Sequence, residues 1–455
     1  MTHGRPHPDR TLEVPGLARV EGEGALRVRI AGGAVTEVVL NIFEPPRFFE
    51  ALLEGRRFDE APDITARICG ICPVAYQMSA CRAMEDACGV AVSEPVAALR
   101  RLLYCGEWIQ SHALHVYLLH APDFLGCQDA VELAGIDRAA VERGLDMKRT
   151  GNRVMQTVGG RAVHPVNVRV GGFYRAPDTD AVRALADPLR QARDDALATV
   201  SWVAGFDFPD VTADYRYVAL THPDRYPIDD GRVAIGPGTG AAAAGTAAPG
   251  TAAHGTQGPA TLSPAEFADV AVEEHVARST ALQARLEGRP YLTGPLARYA
   301  LNAGHLPPVA REAATAAGLG PVCDNPFKSI IVRAVELVFA CDEALRLVEA
   351  YERFEPAADA VPARAGIGTG ATEAPRGLLV HRYEIGDDGL IRTARIMPPT
   401  SQNQLTIEDD LRRVVEGAMD LSDEDLTWRC EQAVRNHDPC ISCAAHFLDV
   451  TVDRS

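Results

Sequence analysis

The sequence predicts an α+β fold, mainly helical with β-hairpins at its periphery. Three observations carry that reading. Long segments repeat apolar residues every three or four positions, the period of an amphipathic helix. Shorter segments alternate apolar and polar residues about glycine turns, as paired strands do. Hydrophobic residues make up 47% of the 455 and charged ones 24%, so apolar burial can offset chain entropy over a large core. At about 100–200 residues per domain, this length admits two or three domains or one large one. Residues 1–455 are read as a single domain.

Taken in order, residues 26–39 alternate around Gly32-Gly33 and predict a two-strand hairpin. From Phe48 the period turns helical. Residues 92–119 predict one long helix, with no proline after Pro95 to break it. Segments 181–203, 264–286 and 327–351 give the same signal, with Ser263 and Asn325 placed as N-caps. Between 236 and 258 the composition collapses to Gly, Ala, Thr and Pro, which reads as a low-complexity surface loop. Its His254 stands alone and is assigned no role. Residues 376–396 return to alternation around a turn at 386–389, and 422–435 form a shorter helix ending before Asp438-Pro439.

The formal charge is −17, from 45 basic and 62 acidic side chains, which argues against a nucleic-acid partner because phosphate binding needs a basic face. No run approaches the ~18 apolar residues of a membrane helix. The start, MTHGRPHPDRTLEVPG, has no apolar stretch of the kind a secretory signal needs. The 11 cysteines are too sparse for a disulfide scaffold, so a reducing, cytoplasmic setting is expected. A subunit exported on a partner's signal would be the exception.

Those cysteines are unevenly placed. Cys69 and Cys72 lie in RICGICP, and Cys440 and Cys443 in DPCISCAAH, with His446 three residues beyond. Each Cys-x-x-Cys puts two thiols on one side of a turn, and two pairs make a soft ligand set suited to zinc, nickel or iron. A zinc ribbon brings its pairs ~15–20 residues apart, whereas these stand near opposite ends of the chain. A thioredoxin-like pair needs a βαβ setting that the flanking helices do not offer. Four buried cysteines serving as small hydrophobes would not account for two pairs beside charged residues. A metal site built inside a finished domain is the reading these spacings favour.

RICGICP together with DPCISCAAH resembles the large, catalytic subunit of nickel–iron hydrogenases. RVEG at 19–22, RFFE at 47–50, GGRAVHP at 159–165, GPLAR at 294–298, APRG at 374–377 and PPT at 398–400 fall in that family's order. The resemblance implies the hydrogenase large-subunit fold around a bundle of long helices. It also implies a nickel held by Cys69, Cys72, Cys440 and Cys443. Cys69 and Cys440 would be terminal, and Cys72 and Cys443 would bridge to an iron carrying carbon monoxide and cyanide. Cys440 would serve as the base that takes a proton from dihydrogen.

The same resemblance gives Glu21 the role of passing that proton on, while Glu23 beside it reads as surface. It places Arg376 over the open nickel–iron position, where a guanidinium donates fixed hydrogen bonds that a lysine would not reproduce. The alternative for Arg376 is a salt bridge to Glu373. Pro399 and Thr400 would line a cyanide. Glu50, a backbone carbonyl near Ile396 and His446 would hold a magnesium ion in part of its shell, the alternative for Glu50 being an exposed helix face. Two positions depart from the family pattern: Tyr76 stands where a histidine is usual, and Ser111 where an aspartate is. Tyr76 and PPT resemble the cytoplasmic, NAD(P)-linked, sulfhydrogenase-type branch. His112 and His115 read either as donors around the site or as core histidines. Cys81, Cys88, Cys105, Cys127, Cys323, Cys341 and Cys430 read as buried small residues.

The chain has no further cysteine clusters for iron–sulfur relays and no G-x-G-x-x-G after a strand. Iron–sulfur clusters and flavin are therefore expected only in partners: an iron–sulfur small subunit, then flavin-bearing NAD(P) diaphorase subunits. The family also implies maturation proteins and an endopeptidase that trims the tail, here residues 447–455. The alternatives are a non-catalytic homologue, such as the quinone-module subunit of respiratory complexes, and a structural-zinc protein.

Overall fold

Four helices distant in sequence form the centre of the molecule. They are Glu94–Leu114, Arg138–Gly159, Ala186–Ala204 and Ser329–Glu349. The structure is a computed structural model that describes residues 9–236 and 259–445. Glu94–Leu114 packs on both Arg138–Gly159 and Ser329–Glu349, and Ala186–Ala204 packs on the latter two. Glu94–Leu114 and Ser329–Glu349 are buried almost all round, as their near-continuous apolar character requires. Small sheets surround this bundle, so the architecture is α+β. No helix among the described residues is long and apolar enough to cross a membrane.

The N-terminal hairpin forms as its alternation dictates, Gly24–Ala31 pairing antiparallel with Ala34–Ile42. A strand that the sequence reading did not assign, Arg10–Val14, joins its outer side. This sheet buries Leu26, Val28 and Leu40 in a second core with Leu411 and Val415 of the Pro399–Glu416 helix. The hairpin predicted over 376–396 is likewise the inner part of a three-stranded sheet, Gly366–Ala374, Gly377–Ile385 and Ile391–Met397. Its added strand lies against the Pro73–Cys88 helix. A Cβ at Gly368 or Gly370 would strike the backbone of Ala83 or Ser79, so the two backbones touch directly. That contact fixes the helix whose N-terminus carries Cys72.

Three predicted helices change in the folded chain. Residues 264–286 do not make one helix. Ser263 caps Pro264–Val270 through a capping box with Glu266, as its sequence signals. The chain then turns into two paired strands, Ala271–His275 and Leu282–Leu286. Arg395 donates to the carbonyls of Ala268 and Ala271, which a continuing helix would need for its own bonds. Residues 181–203 divide into Thr179–Arg183 and Ala186–Ala204, because Pro188 has no N–H for the Ala184 carbonyl. The helix over 92–119 is α-helical through Leu114 and then widens into a π turn, His115–His120. Segment 327–351 holds as Ser329–Glu349 after a short 3-10 turn capped by Asn325. Ser422 caps Asp423–Arg435 as expected. Apart from Gly236, the predicted loop at 236–258 lies outside the described residues.

Candidate metal centre

The two chain ends meet at the edge of the bundle. A 3-10 turn, Ala66–Ile68, delivers Cys69, and Cys72 sits at the N-terminus of Pro73–Cys88. From the other end, Cys440 lies beside Glu21 in a parallel bridge, with the Ile441 N–H donating to the Glu21 carbonyl at 2.9 Å. A four-residue helix, Ile441–Ala444, then presents Cys443. Arg47 ties the two loops together by donating to the Ile68 carbonyl at 2.7 Å and the Ser442 carbonyl at 2.5 Å.

The four ligand atoms all lie within 4.8 Å of one another, and each cysteine is at most 3% exposed. Cys69 Sγ is 3.5 Å from Cys440 Sγ and Cys72 Sγ is 3.6 Å from Cys443 Sγ, while Cys440 Sγ and Cys443 Sγ stand closer, at 2.6 Å. Four sulfurs about 2.3 Å from one metal would be separated by about 3.8 Å at tetrahedral angles, so the two edges between the pairs fit a shared cation, and the Cys440–Cys443 edge would have to open to match it. None of the four forms a disulfide. Their protonation is shared: thiol hydrogen bonds from Cys440, Cys443 and Cys72 pull Cys69 well below the usual thiol range, while burial pushes Cys440 well above it. The donor set, its burial and its spacing fit a thiophilic metal.

Around the sulfurs the polar groups are specific. Glu21 Oε2 accepts from Cys440 Sγ at 3.0 Å and from the Ser442 N–H at 3.1 Å. Thr400, behind Pro399 in the first turn of its helix, accepts the Cys440 N–H at 2.9 Å. Arg376 is buried and donates through Nε to the Asp438 carbonyl at 2.9 Å, with the Asp438 carboxylate 3.3 Å away. The salt bridge to Glu373 does not form, because Arg298 takes Glu373 at 3.0 Å along with both oxygens of Glu336. Arg298 also holds the carbonyls of Ala374 and Pro375, which aims the following Arg376. One Arg376 nitrogen, Nη1, is buried with no hydrogen-bond partner among the described residues. An anionic ligand beside the sulfurs would satisfy it.

The remaining sequence-predicted residues are also placed. Glu50 accepts the Ile396 N–H at 2.6 Å, and burial pushes its carboxyl up to about 7. It is neither on an exposed face nor far from Ile396. His446 lies outside the described residues. Ser111 is buried, and its hydroxyl has no partner among the described residues. His112 Nε2 is 3.0 Å from Glu336, and burial lowers its pKa. His115 Nε2 faces the Arg435 carbonyl at 2.8 Å. Tyr76 is buried, with burial and the neighbouring Cys443 pushing its phenol well above the usual range. The seven other cysteines are buried and unbridged.

Sequence reasoning missed Glu107, Gln110 and Asp438. Glu107 is 0% exposed, and its carboxyl accepts the Val74 N–H at 2.6 Å and the Ala75 N–H at 3.1 Å. Gln110, one turn further on, donates to the Ile71 carbonyl at 2.6 Å. The available signal was an acidic residue inside the apolar run LLYCGEWI of a buried helix.

Residues 47–143 match the family model described as Nickel-dependent hydrogenase. The chain is 32% identical over 441 residues to sulfhydrogenase 1 subunit alpha of Pyrococcus furiosus, covering 96% of this chain and 98% of that protein. It is also 32% identical over 455 residues to sulfhydrogenase 2 subunit alpha of the same organism, covering 96% and 99%. Among solved structures, an NAD+-reducing NiFe hydrogenase in the H2-reduced state matches with a TM-score of 0.82 and 25% identity, over 96% of this chain and 99% of that one. With sequence shared along almost its whole length and four thiols brought to one place, the chain belongs to the nickel-dependent hydrogenase family and is a nickel–iron hydrogenase catalytic subunit.

Proposed function

We propose that the chain splits and forms dihydrogen in a cytoplasmic nickel–iron hydrogenase, exchanging electrons with NAD(P) through partner subunits. The observation that carries this reading is Cys440 Sγ, one of four converged thiols, 3.0 Å from a carboxylate anchored by a backbone N–H. Nickel would be held by the sulfurs of Cys69, Cys72, Cys440 and Cys443, and an iron carrying carbon monoxide and cyanide by those of Cys72 and Cys443. Bound there, the two metals would supply the Lewis acidity and redox chemistry that heterolysis of the H–H bond needs.

The chain supplies the rest. Cys440 Sγ takes the proton and Glu21 Oε2 receives it, a transfer within hydrogen-bond reach that needs no rearrangement. The Ser442 N–H and the Glu21–Cys440 bridge hold donor and acceptor in register. Arg376, fixed by Asp438, presents its free Nη1 to an anionic ligand, and Pro399 and Thr400, the latter bonded to the Cys440 N–H, would line a cyanide. Magnesium would be held by Glu50, the Ile396 carbonyl and His446, a hard cation suiting oxygen-rich donors and water.

The likeness to sulfhydrogenase alpha subunits and to an NAD+-reducing hydrogenase supports a multi-subunit assembly. Its iron–sulfur small subunit and flavin-bearing NAD(P) subunits would carry electrons away. Maturation proteins would load the metals, and an endopeptidase would trim the tail. The test is metal analysis with infrared spectroscopy on the purified complex. Nickel and iron in equal amounts, with bands from iron-bound carbon monoxide and cyanide, are expected; zinc alone without those bands overturns the reading.

A further inference from the structure

The amide two residues after a cysteine is the natural hydrogen-bond donor to its sulfur in a Cys-x-x-Cys turn. At Cys69 it does this: the Ile71 N–H donates to Cys69 Sγ at 3.3 Å. At Cys72 it does not. The equivalent amide, that of Val74, goes to Glu107 Oε2 at 2.6 Å, and the next, that of Ala75, goes to Glu107 Oε1 at 3.1 Å. The Cys72 side chain accepts no hydrogen bond from the helix it begins. The same diversion occurs at Cys440, where Glu21 takes the Ser442 N–H.

Capping alone does not account for Glu107. A serine or aspartate in the preceding turn caps a helix at little cost, whereas Glu107 is wholly buried and has no ion pair among the described residues. Burying a carboxyl group is expensive. The helix around it is arranged to deliver it. Gln110 holds the Ile71 carbonyl from one turn further along, and Lys148 steadies the Gln110 side chain at 3.3 Å. Glu94–Leu114 thus grips the loop on both sides of Cys72 and leaves its sulfur without a backbone donor among the described residues.

We propose that Glu107 is a positioning residue that withholds the Val74 amide from the Cys72 sulfur and thereby lowers the reduction potential of the metal centre. Hydrogen bonds to a metal-bound thiolate stabilise the electron-rich, reduced state and raise the potential. Cys69 keeps such a bond and Cys72 is denied one, so the two thiolates of the first pair donate unequally to the metals. This inference rests on the reading of the four thiols as the metal ligands.

The test is a redox titration of the nickel signal in the purified holoenzyme, with metal content measured, for wild type beside Glu107→Ala and Glu107→Gln. Glu107→Ala frees both amides. At a fixed poise its reduced-to-oxidised ratio is expected to rise about tenfold, as a hydrogen bond to a charged group warrants, which is about 59 mV for one electron. Glu107→Gln keeps one acceptor oxygen and is expected to move part of the way. If both variants carry full nickel and iron and titrate as wild type does, the carboxyl is a helix cap and the proposal fails. If Glu107→Ala does not load metal, Glu107→Gln decides alone, and an unshifted midpoint overturns the proposal. A wild-type holoenzyme holding zinc and no nickel signal instead overturns the reading beneath it.

Discussion

The two cysteine pairs reach the same point by different physics. Cys69 and Cys72 are placed by packing. Cys72 begins a 16-residue helix that lies backbone to backbone against the Gly366–Ala374 strand. Cys440 and Cys443 belong to a four-residue helix and its cap, which is placed by a small cluster of Ile441 and Ala444 with Ile42 and Ala281 and by polar contacts from Glu21, Thr400 and Arg47. A packed element is set by many small contacts and tolerates the loss of any one polar partner. A short segment held by a small cluster and a few hydrogen bonds depends more on each of them. The first pair therefore behaves as a preformed half-site, and the second as a flap fastened at named points.

Three substitutions separate those halves, beginning with the largest effect. Cys440→Ser removes a thiolate from the second pair and is expected to abolish hydrogen uptake and nickel retention. The fold should unfold at close to the wild-type temperature, because the packed bundle does not depend on that sulfur; a large loss of thermal stability would mean the flap is part of the core. Glu21→Gln keeps the shape and the bond to the Ser442 amide but removes the proton acceptor. Nickel content should stay at the wild-type level while turnover falls about 10²–10⁴-fold, the range for a lost general base, read by hydrogen–deuterium exchange. Gly370→Ala acts on the first pair only. Its Cβ would meet the Ser79 backbone, and such overpacking costs about 1–3 kcal/mol, visible as a lower melting temperature. An unchanged melting temperature would show that the strand and helix are free to separate.

What could be read from the sequence follows the same division. The four cysteines, Glu21, Arg376 and Thr400 stand in short motifs whose residue types announce polar chemistry, and the structure brings them together. Glu107 announces itself only as an acid in an apolar run, because its partners are backbone amides 32 and 33 residues away that carry no residue-type signal. In the fold, the long helices within 92–119, 181–203 and 327–351 were legible, whereas Pro73–Cys88, Arg138–Gly159 and Pro399–Glu416 were not assigned. Residues 264–286 were not legible, since AVEEHVARSTALQARL suits a helical period as well as an alternating one, and the choice is made by Arg395 from a distant strand. Gly366–Ala374 has no assignment from the sequence, and the helix beneath it shows why side chains are absent from GIGTG.

The bridge between Glu21 and Cys440 also sets a clock. The two residues are 419 positions apart, and a ribosome adding about 5–20 residues each second needs roughly 20–80 s to get from one to the other. Cys440 and Cys443 are the last of the four thiols to be made, so the seam beside Glu21 closes only after both have been synthesised.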